Sequence, residues 1–481
     1  MTNPFRPTRI ATALAGVALA LTAGQVLGAA FALQENSGSG LGNAYAGGAA
    51  AAEDAATLWS NVAGMSRIGT NQVAGAINII NPSAKFNNNG SVAALNQPLG
   101  GNGGDAGNLA FVPNLYVVIP INRQWSFGLG VNAPFGLVTE YDNGWLGRYQ
   151  ALKSDVKTLN INPAVSWKIT DNVAIGAGGN YQQIKATFTN SVNYSAGLAS
   201  AAGTAAAAGL IPAAAVPAII GATGGLDSSA EVKGDDYSWG WNVGILIDFD
   251  KNTRVGAQYR SSIKYNLAGN VSFCNPAAAG TTSTCGGAVL PTLPPTLAPV
   301  VASLAAAVNA QLANGGITSN IELPSITNIS FFSRLNDRWD VMGDAQWTQW
   351  SSIPVLKFVR TTGTVLSSAP ENFKDAWRFA LGANYHIDDK WMVRGGYAYD
   401  QTPVNTTDMT PRLPDGNRNW LTLGGQYKYS KSLALDVGVA YVWINDPEIN
   451  QNAGSTAANG LIKGNYSSNV GILSGQMTYS W

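Results

Sequence analysis

The chain has 481 residues, with 28 basic and 28 acidic side chains, only 12% charged in all, and 55 glycines. Zero net charge implies no nucleic-acid partner. So few charges and so many glycines suit tightly packed strands with little aqueous surface.

The first 28 residues read as a secretory signal. Arg6 and Arg9 precede an apolar run over 10–23, and Val26-Leu27-Gly28 stands before Ala29. Cuts after Ala30 or Ala32 fit the same pattern. The apolar run is too short for a transmembrane helix, and no later stretch of about 20 apolar residues occurs. Residues 29–70 form the next unit. They lack strand alternation and are rich in glycine and alanine, with room for short helices around 42–52 and 55–61.

From residue 71 to 481 the chain alternates. In Trp377-Arg378-Phe379-Ala380-Leu381-Gly382-Ala383-Asn384-Tyr385, every odd position is apolar or aromatic. Leu433, Leu435, Val437, Val439, Tyr441 and Trp443 repeat the register, as do Trp239, Trp241, Val243, Ile245, Ile247 and Phe249. Period two gives a strand one greasy face. Runs of about ten residues, with aromatics at their ends, match strands that cross a bilayer between two aromatic girdles. Short polar turns such as Thr170-Asp171-Asn172 and Asp388-Asp389-Lys390 alternate with long loops, the layout of an up-and-down outer-membrane barrel. About fourteen runs can be counted, beginning near Gln72, Phe111, Trp125, Lys157, Val173, Tyr237, Arg254, Ser319, Trp339, Trp377, Trp391, Trp420, Leu433 and Asn469. The expected fold is an all-β, 14-stranded antiparallel transmembrane barrel in the bacterial outer membrane.

Within the barrel, the third run is interrupted at Asn132-Ala133-Pro134-Phe135-Gly136, where a proline and a glycine weaken pairing. The longest outer loops span 190–236 and 267–318, and both are apolar for exposed loops. Val300, Leu304, Ala307, Val308 and Leu312 fall near helical spacing. Such apolar surface marks either a binding site or helices that pack on each other and cap the barrel. Cys274 and Cys285 share the second loop. Export passes through an oxidising compartment, so they read as a disulfide, with two unpaired thiols as the alternative. The final run ends in aromatic Trp481. It looks like the signal read by the barrel assembly machinery, although that signal usually ends in Phe.

Catalysis has little to stand on. The single histidine, His386, lies on the lumen face with no serine elbow, and no His, Cys or carboxylate cluster has metal spacing. Gly38-Ser39-Gly40-Leu41-Gly42 lacks the preceding strand of a nucleotide site, so no enzyme activity, metal or cofactor is expected.

Several ordered blocks resemble the FadL/TodX family of outer-membrane transport proteins. They include Ser39-Gly40-Leu41-Gly42-Asn43-Ala44-Tyr45-Ala46-Gly47, Pro134-Phe135-Gly136-Leu137-Val138-Thr139-Glu140-Tyr141 and Phe373-Lys374-Asp375-Ala376-Trp377-Arg378. The resemblance covers nearly the whole mature chain. It implies that residues 29–70 are a hatch plugging a fourteen-stranded barrel. It also implies a monomer that takes hydrophobic molecules, first among them long-chain fatty acids, past the lipopolysaccharide and sideways into outer-membrane lipid. Capture on outer loops, lumen binding near Phe31 and Leu33, and exit at the Pro134-Phe135-Gly136 kink follow from it. The hatch motif Asn-Pro-Ala reads Asn61-Val62-Ala63 here, which puts its switching geometry in question.

A fatty acid's carboxylate needs a partner. The positions of the family's inner basic residues fall near Asn190 and Ala369, which are not basic. Arg378 and Arg394, on the lumen face by register, could replace them or be paired with Asp400, Asp344 or Asp340. A channel for aromatic or alkane hydrocarbons is the nearest alternative. A general aqueous porin is the alternative of another class, but it would line an open lumen with many charges.

Overall fold

The computed structural model describes residues 30–281, 285–452 and 458–481. The signal segment read at 1–28 lies outside them, as does Ala29.

Among the described residues the chain forms one closed antiparallel barrel of fourteen strands. They are β1 Gln72–Asn88, β2 Ala110–Pro120, β3 Trp125–Asn132 continued as Gly136–Glu140, β4 Lys153–Lys168 and β5 Val173–Asn193. Next come β6 Asp227–Asp248, β7 Thr253–Arg260 with Ile263–Cys274, β8 Gly315–Leu323 with Ile326–Arg334, and β9 Trp339–Thr348 with Val355–Arg360. The last are β10 Val365–Pro370 with Ala376–His386, β11 Trp391–Asp400, β12 Arg418–Lys428, β13 Leu433–Ile444 with Glu448–Gln451, and β14 Ile462–Ser480. The final strand closes on the first, from Gln72 opposite Ser480 to Asn88 opposite Gly464. Closure removes every free edge, which a sheet in lipid requires. No helix among the described residues is long and apolar enough to cross a membrane.

The alternation sets which way each strand faces. On β10, Trp377, Phe379 and Leu381 point outward and are exposed, while Arg378 and Ala380 are buried in the lumen. Aromatics pair at the turn ends of the barrel, Trp125 stacked on Trp167 at 5.5 Å and Trp391 against Tyr427 at 4.4 Å. Trp241 against Tyr259 and Trp377 against Phe379 form a second row toward the opposite end.

Several strands run further than the alternation suggests. β6 starts at Asp227, ten residues before Tyr237, and β14 at Ile462 rather than Asn469. The added part of β6, 227–236, carries Asp227, Ser229, Glu231, Lys233 and Asp235 on its outer face and only the small Ser228, Ala230, Val232 and Gly234 inward, so it lacks the outward apolar register of the other strands although its backbone ladder to β5 is complete. The outer loops are correspondingly shorter than 190–236 and 267–318. They hold three helices that pack together, Tyr194–Ala207, Ala215–Ala222 and Ala298–Gln311. Leu198, Ala202, Val301, Leu304, Ala305 and Val308 make the shared core, and the Tyr194 hydroxyl donates to Asn309 Oδ1 at 2.9 Å. Ala307, read as part of the apolar face, is exposed, because the buried stripe runs 301, 304, 305, 308. Much of these loops' greasy surface is thus spent on helix packing, while Leu210 stays 78% exposed. Cys274 and Cys285 are joined in a disulfide with their Cα atoms 5.6 Å apart.

Candidate functional site

Residues 30–68 lie within the lumen and pack on the inner faces of the strands. They make single turns rather than longer helices, at Gly38–Leu41, Gly48–Ala51 and Thr57–Ser60, followed by a 3-10 stretch Val62–Arg67. Inward glycines let the segment approach the wall closely. A Cβ at Gly256 would overlap the Ala49 carbonyl, and one at Gly396 would overlap the backbone of Asn43.

The segment has two parts with different attachments. The body, 38–67, is held by side chains reaching in from the wall. Arg254 donates to Ala50 O at 2.6 Å and Ala51 O at 2.5 Å. Arg260 donates to Trp59 O at 3.1 Å and lies 3.7 Å over the Trp59 ring. Arg378 donates to Ala44 O at 2.7 Å. Arg394 is closed between Glu53 at 2.7 Å and Asp436 at 2.5 Å. Asn61 caps the 3-10 stretch through Ala63 N–H and donates to Ala49 O and Ile245 O, while Val62 packs near Gly176.

The arm, 30–37, does something else. Above the Leu115–Val131 pair, β2 and β3 share no ladder pair. The upper part of β3, Gly136–Glu140, is paired to β4 alone. Higher still, Glu140 N–H donates to Ala106 O at 3.1 Å, so the interruption is a window in the wall. The arm spans it from inside. Leu33 N–H donates to Pro134 O at 2.9 Å, Gly136 N–H donates to Phe31 O at 2.8 Å, and Ala32 sits opposite Phe135. On the other side of the window, Asn78 on β1 and Asn114 on β2 both donate to Glu35 O, at 2.8 and 2.9 Å.

The arm also separates two chambers. Outward of it lies an apolar cavity, lined by Phe31, Leu137, Ile184, Phe188, Leu267, Ile317, Ile353, Phe358, Phe373 and Leu413 among others. Its floor is aromatic: Phe31 stands 5.0 Å from Trp350 and 5.9 Å from Phe135. Inward lies a polar chamber, lined by Gln34, Asn36, Glu53, Asp54, Arg260, Asp344 and Arg378, with Leu33 and Pro134 at the boundary.

Two ionisable side chains reach the apolar cavity, Glu371 and Arg412. Arg412 donates to Lys153 O at 3.2 Å and contacts Asn190 Oδ1 at 3.4 Å, with its guanidinium 5.3 Å over the Phe188 ring. Among the described residues it makes no close ion pair. Burial pushes Glu371 up to about 8, against the pull of Arg412, and lowers Arg412 to about 10. At neutral pH the cavity therefore holds one cation and one largely protonated carboxyl.

Of the residues singled out from sequence, Phe31 lines the apolar cavity, and Leu33, Pro134 and Arg378 line the polar one. Arg394 lines neither. Pro134, Phe135 and Gly136 meet Phe31–Leu33 at the window, and Asn61-Val62-Ala63 lies in the anchored body. His386 faces Asp340, with Nε2 2.7 Å from its carboxylate. Sequence reasoning missed Arg412 and Glu371. Both sit in irregular chain, Arg412 between Pro411 and Leu413-Pro414 and Glu371 at the break in β10, where no periodicity says which way a side chain faces. The one available signal was a lone arginine between prolines.

A closed barrel with an occupied lumen, a wall window and an apolar chamber defines an outer-membrane transport channel. The sequence pattern of the family described as outer membrane protein transport protein (OMPP1/FadL/TodX) matches residues 19–481, and the chain belongs to that family. It is 31% identical to the long-chain fatty acid transport protein of Escherichia coli (strain K12) over 442 residues, 90% of this chain and 92% of the relative. Its fold is similar to a crystal structure of a Pseudomonas aeruginosa FadL homologue, with a TM-score of 0.77 at 23% identity over 94% of this chain and all of the other. It is also similar to the P. putida toluene transporter TodX, with a TM-score of 0.61 at 18% identity over 89% and 94% of the two chains.

Proposed function

We propose that this channel takes up long-chain fatty acids passively, with the tail in the apolar cavity, the carboxylate at Arg412, and exit through the window in β3. The observation that carries the reading is a single cation in an otherwise greasy chamber. Moving a tail of a dozen methylenes out of water is worth roughly 10 kcal/mol, at about 0.8 each. A carboxylate drawn in with it needs a donor, and Arg412 is the one at hand.

The polar chamber supports sideways exit. Beneath the aromatic floor a hydrophobic molecule would meet Glu53, Asp54 and Asp344, whereas passage through the window would lead it into lipid. In this reading residues 30–67 plug the lumen, the arm is the part that moves, and the outer helices deliver ligand. Hydrocarbon uptake is the second reading, supported by the apolar lining; a protonated Glu371, which leaves the Arg412 charge uncompensated, favours a ligand with a carboxylate.

The test is uptake of labelled oleate beside labelled toluene, by cells lacking their own fatty-acid channel and expressing this protein. Oleate uptake that Arg412→Ala cuts by about tenfold, the size of one charge-assisted hydrogen bond, bears the proposal out. Toluene uptake without oleate uptake, indifferent to Arg412, would assign the channel to hydrocarbons.

A further inference from the structure

The wall carries a second interruption, far round the barrel from the first, between β8 and β9. Below it Ile326 pairs with Thr348, and above it Thr318 pairs with Val359. Between these pairs β8 advances eight residues and β9 eleven, and among the described residues no ladder pair joins the two strands there. The cause is local. The surplus chain of β9 forms a 3-10 turn, Trp350–Ser352, that carries Trp350 and Ile353 into buried positions. Pro324 on β8 and Pro354 on β9 both stand in this stretch, and neither has an N–H to give.

Both lips of the gap line the apolar cavity, Ser319 and Ile321 from β8, and Ile353, Leu356 and Phe358 from β9. The Ser319 hydroxyl is buried there with no hydrogen-bond partner among the described residues. Within the gap the Ser352 hydroxyl donates to Glu322 O at 2.9 Å, so a side chain ties the lips where a ladder would otherwise run. The intervening, outward residues are polar: Asn320 and Lys357 are exposed, and Glu322 meets Lys264 at 3.6 Å. The exposed apolar band begins lower on the same wall, at Ile329 and Trp377. Backbone groups without a ladder partner need water or polar head groups rather than hydrocarbon. The gap thus opens on the polar layer just outside the hydrocarbon.

We propose that this gap is a side entrance, through which a hydrophobic molecule held among the outer head groups passes directly into the apolar cavity. Its tail leaves polar surroundings for Ile321, Leu356 and Phe358, and arrives above the aromatic floor. The route runs from the membrane side, beside the one that the outer helices offer from water. The inference rests on the reading of this cavity as the ligand's chamber, and the test below separates the two.

The double variant Asn320→Cys/Lys357→Cys places two thiols on the outer lips, away from the cavity lining. Cys274 and Cys285 are bonded to each other and no other cysteine exists, so a short bis-maleimide joins only the new pair. The full-length protein is reconstituted in vesicles, and a heat-modifiable shift in gel mobility certifies each barrel. Association of dibromostearate, and separately of bromotoluene, is followed by stopped-flow quenching of tryptophan fluorescence, since Trp350 stands at the cavity floor. Cross-linking should slow association and release severalfold together, with affinity unchanged, because a port alters both rates alike. The same cross-link between Glu231→Cys and Ser272→Cys, which face each other on an unbroken ladder, should change neither rate. Ser352→Ala unties the lips and should speed association about fivefold, the scale of one neutral hydrogen bond.

Parent rates in both the cross-linked variant and Ser352→Ala would overturn the entrance while leaving the chamber standing. Should the cysteine pair fail to assemble, Ser352→Ala at the parent's rate overturns it alone. Binding of bromotoluene without dibromostearate would sink the fatty-acid reading, and the entrance is then decided on the bromotoluene rates. Binding of neither quencher would remove the chamber, and the entrance with it.

Discussion

The two parts of the lumen segment are built on opposite principles. Both contain non-glycine residues at positive φ: Ala44, Tyr45 and Ala52 in the body at 57°, 57° and 47°, and Ala30 in the arm at 49°. In the body that strain is over-determined. Tyr45 N–H donates to Gly40 O at 2.7 Å and its hydroxyl to Ser37 O at 3.2 Å, while Arg378 holds Ala44 O. In the arm a few bonds must suffice, and Glu35 is buried with neither carboxylate oxygen hydrogen-bonded. Conformational strain and an unpaired polar group persist where the surroundings outweigh them, so the arm stands nearest to release. On the proposed reading, the segment is a fixed obstruction over most of its length and a movable partition at one end.

The largest effect should come from removing that mobility. Ala32 and Phe135 form a non-hydrogen-bonded antiparallel pair, the closer of the two kinds, which suits a cross-link. The double variant Ala32→Cys/Phe135→Cys should lose oleate uptake when oxidised and regain it with mild reductant, while reductant leaves the parent unchanged. Full uptake with the bond verified by mass would mean that the arm need not move.

Loosening the body should do the converse. Arg260→Ala removes the guanidinium over Trp59 and a donor to its carbonyl, together worth about 2 to 3 kcal/mol. Ligand-free conductance in planar bilayers is expected to rise severalfold with oleate uptake changed little. Conductance as low as the parent's would show that the body stays seated without this anchor. A smaller effect is expected at the window. A side chain at Gly136 would place its Cβ 3.3 Å from Leu33 Cδ1, so Gly136→Val should crowd the arm against its seat and slow uptake a fewfold. Unchanged uptake would count against exit at this strand.

How much of this was legible in the sequence follows the same division. The barrel was, because lipid on one face and a filled lumen on the other impose period two on every strand, as in Trp377 to Leu381. The interruption at Pro134 and Gly136 was, because proline and glycine act on the backbone locally. What could not be read was any pairing made across the lumen. Arg394 and Arg378 were legible as lumen-facing by register, yet whether each met a ligand, a carboxylate or a carbonyl depended on where Glu53, Asp436 and Ala44 came to rest. Arg412 was further out of reach, since a loop has no register at all. The outer part of β6 went unread for a related reason: with water on its outer face the apolar positions shift to the inner side, at Ala230 and Val232, and the outward greasy register that marks the other strands is missing.

The smallest predicted effect concerns the chemistry of the cavity. Glu371 titrates at about 8 because burial disfavours its charged form more than Arg412 favours it. Below that pH the carboxyl is neutral and Arg412 is free to meet a fatty carboxylate, which is itself ionised above about pH 6. As pH rises from 7 to 9, Glu371 ionises, offsets the cation and repels the ligand, while Arg412, at about 10, stays charged. Oleate affinity should therefore fall a fewfold over this interval, and Glu371→Gln should flatten the profile at the higher affinity. The linkage has the same sign for the fold. The folded chain holds a proton that the unfolded chain gives up near 4.5, so stability from this group is fully present at low pH and declines between 4.5 and about 8. Fluorescence titration of oleate at pH 7 and pH 9 decides it. An affinity that rises with pH would place the carboxylate away from Glu371, and a flat profile in the parent would mean that Arg412 and Glu371 do not share the ligand.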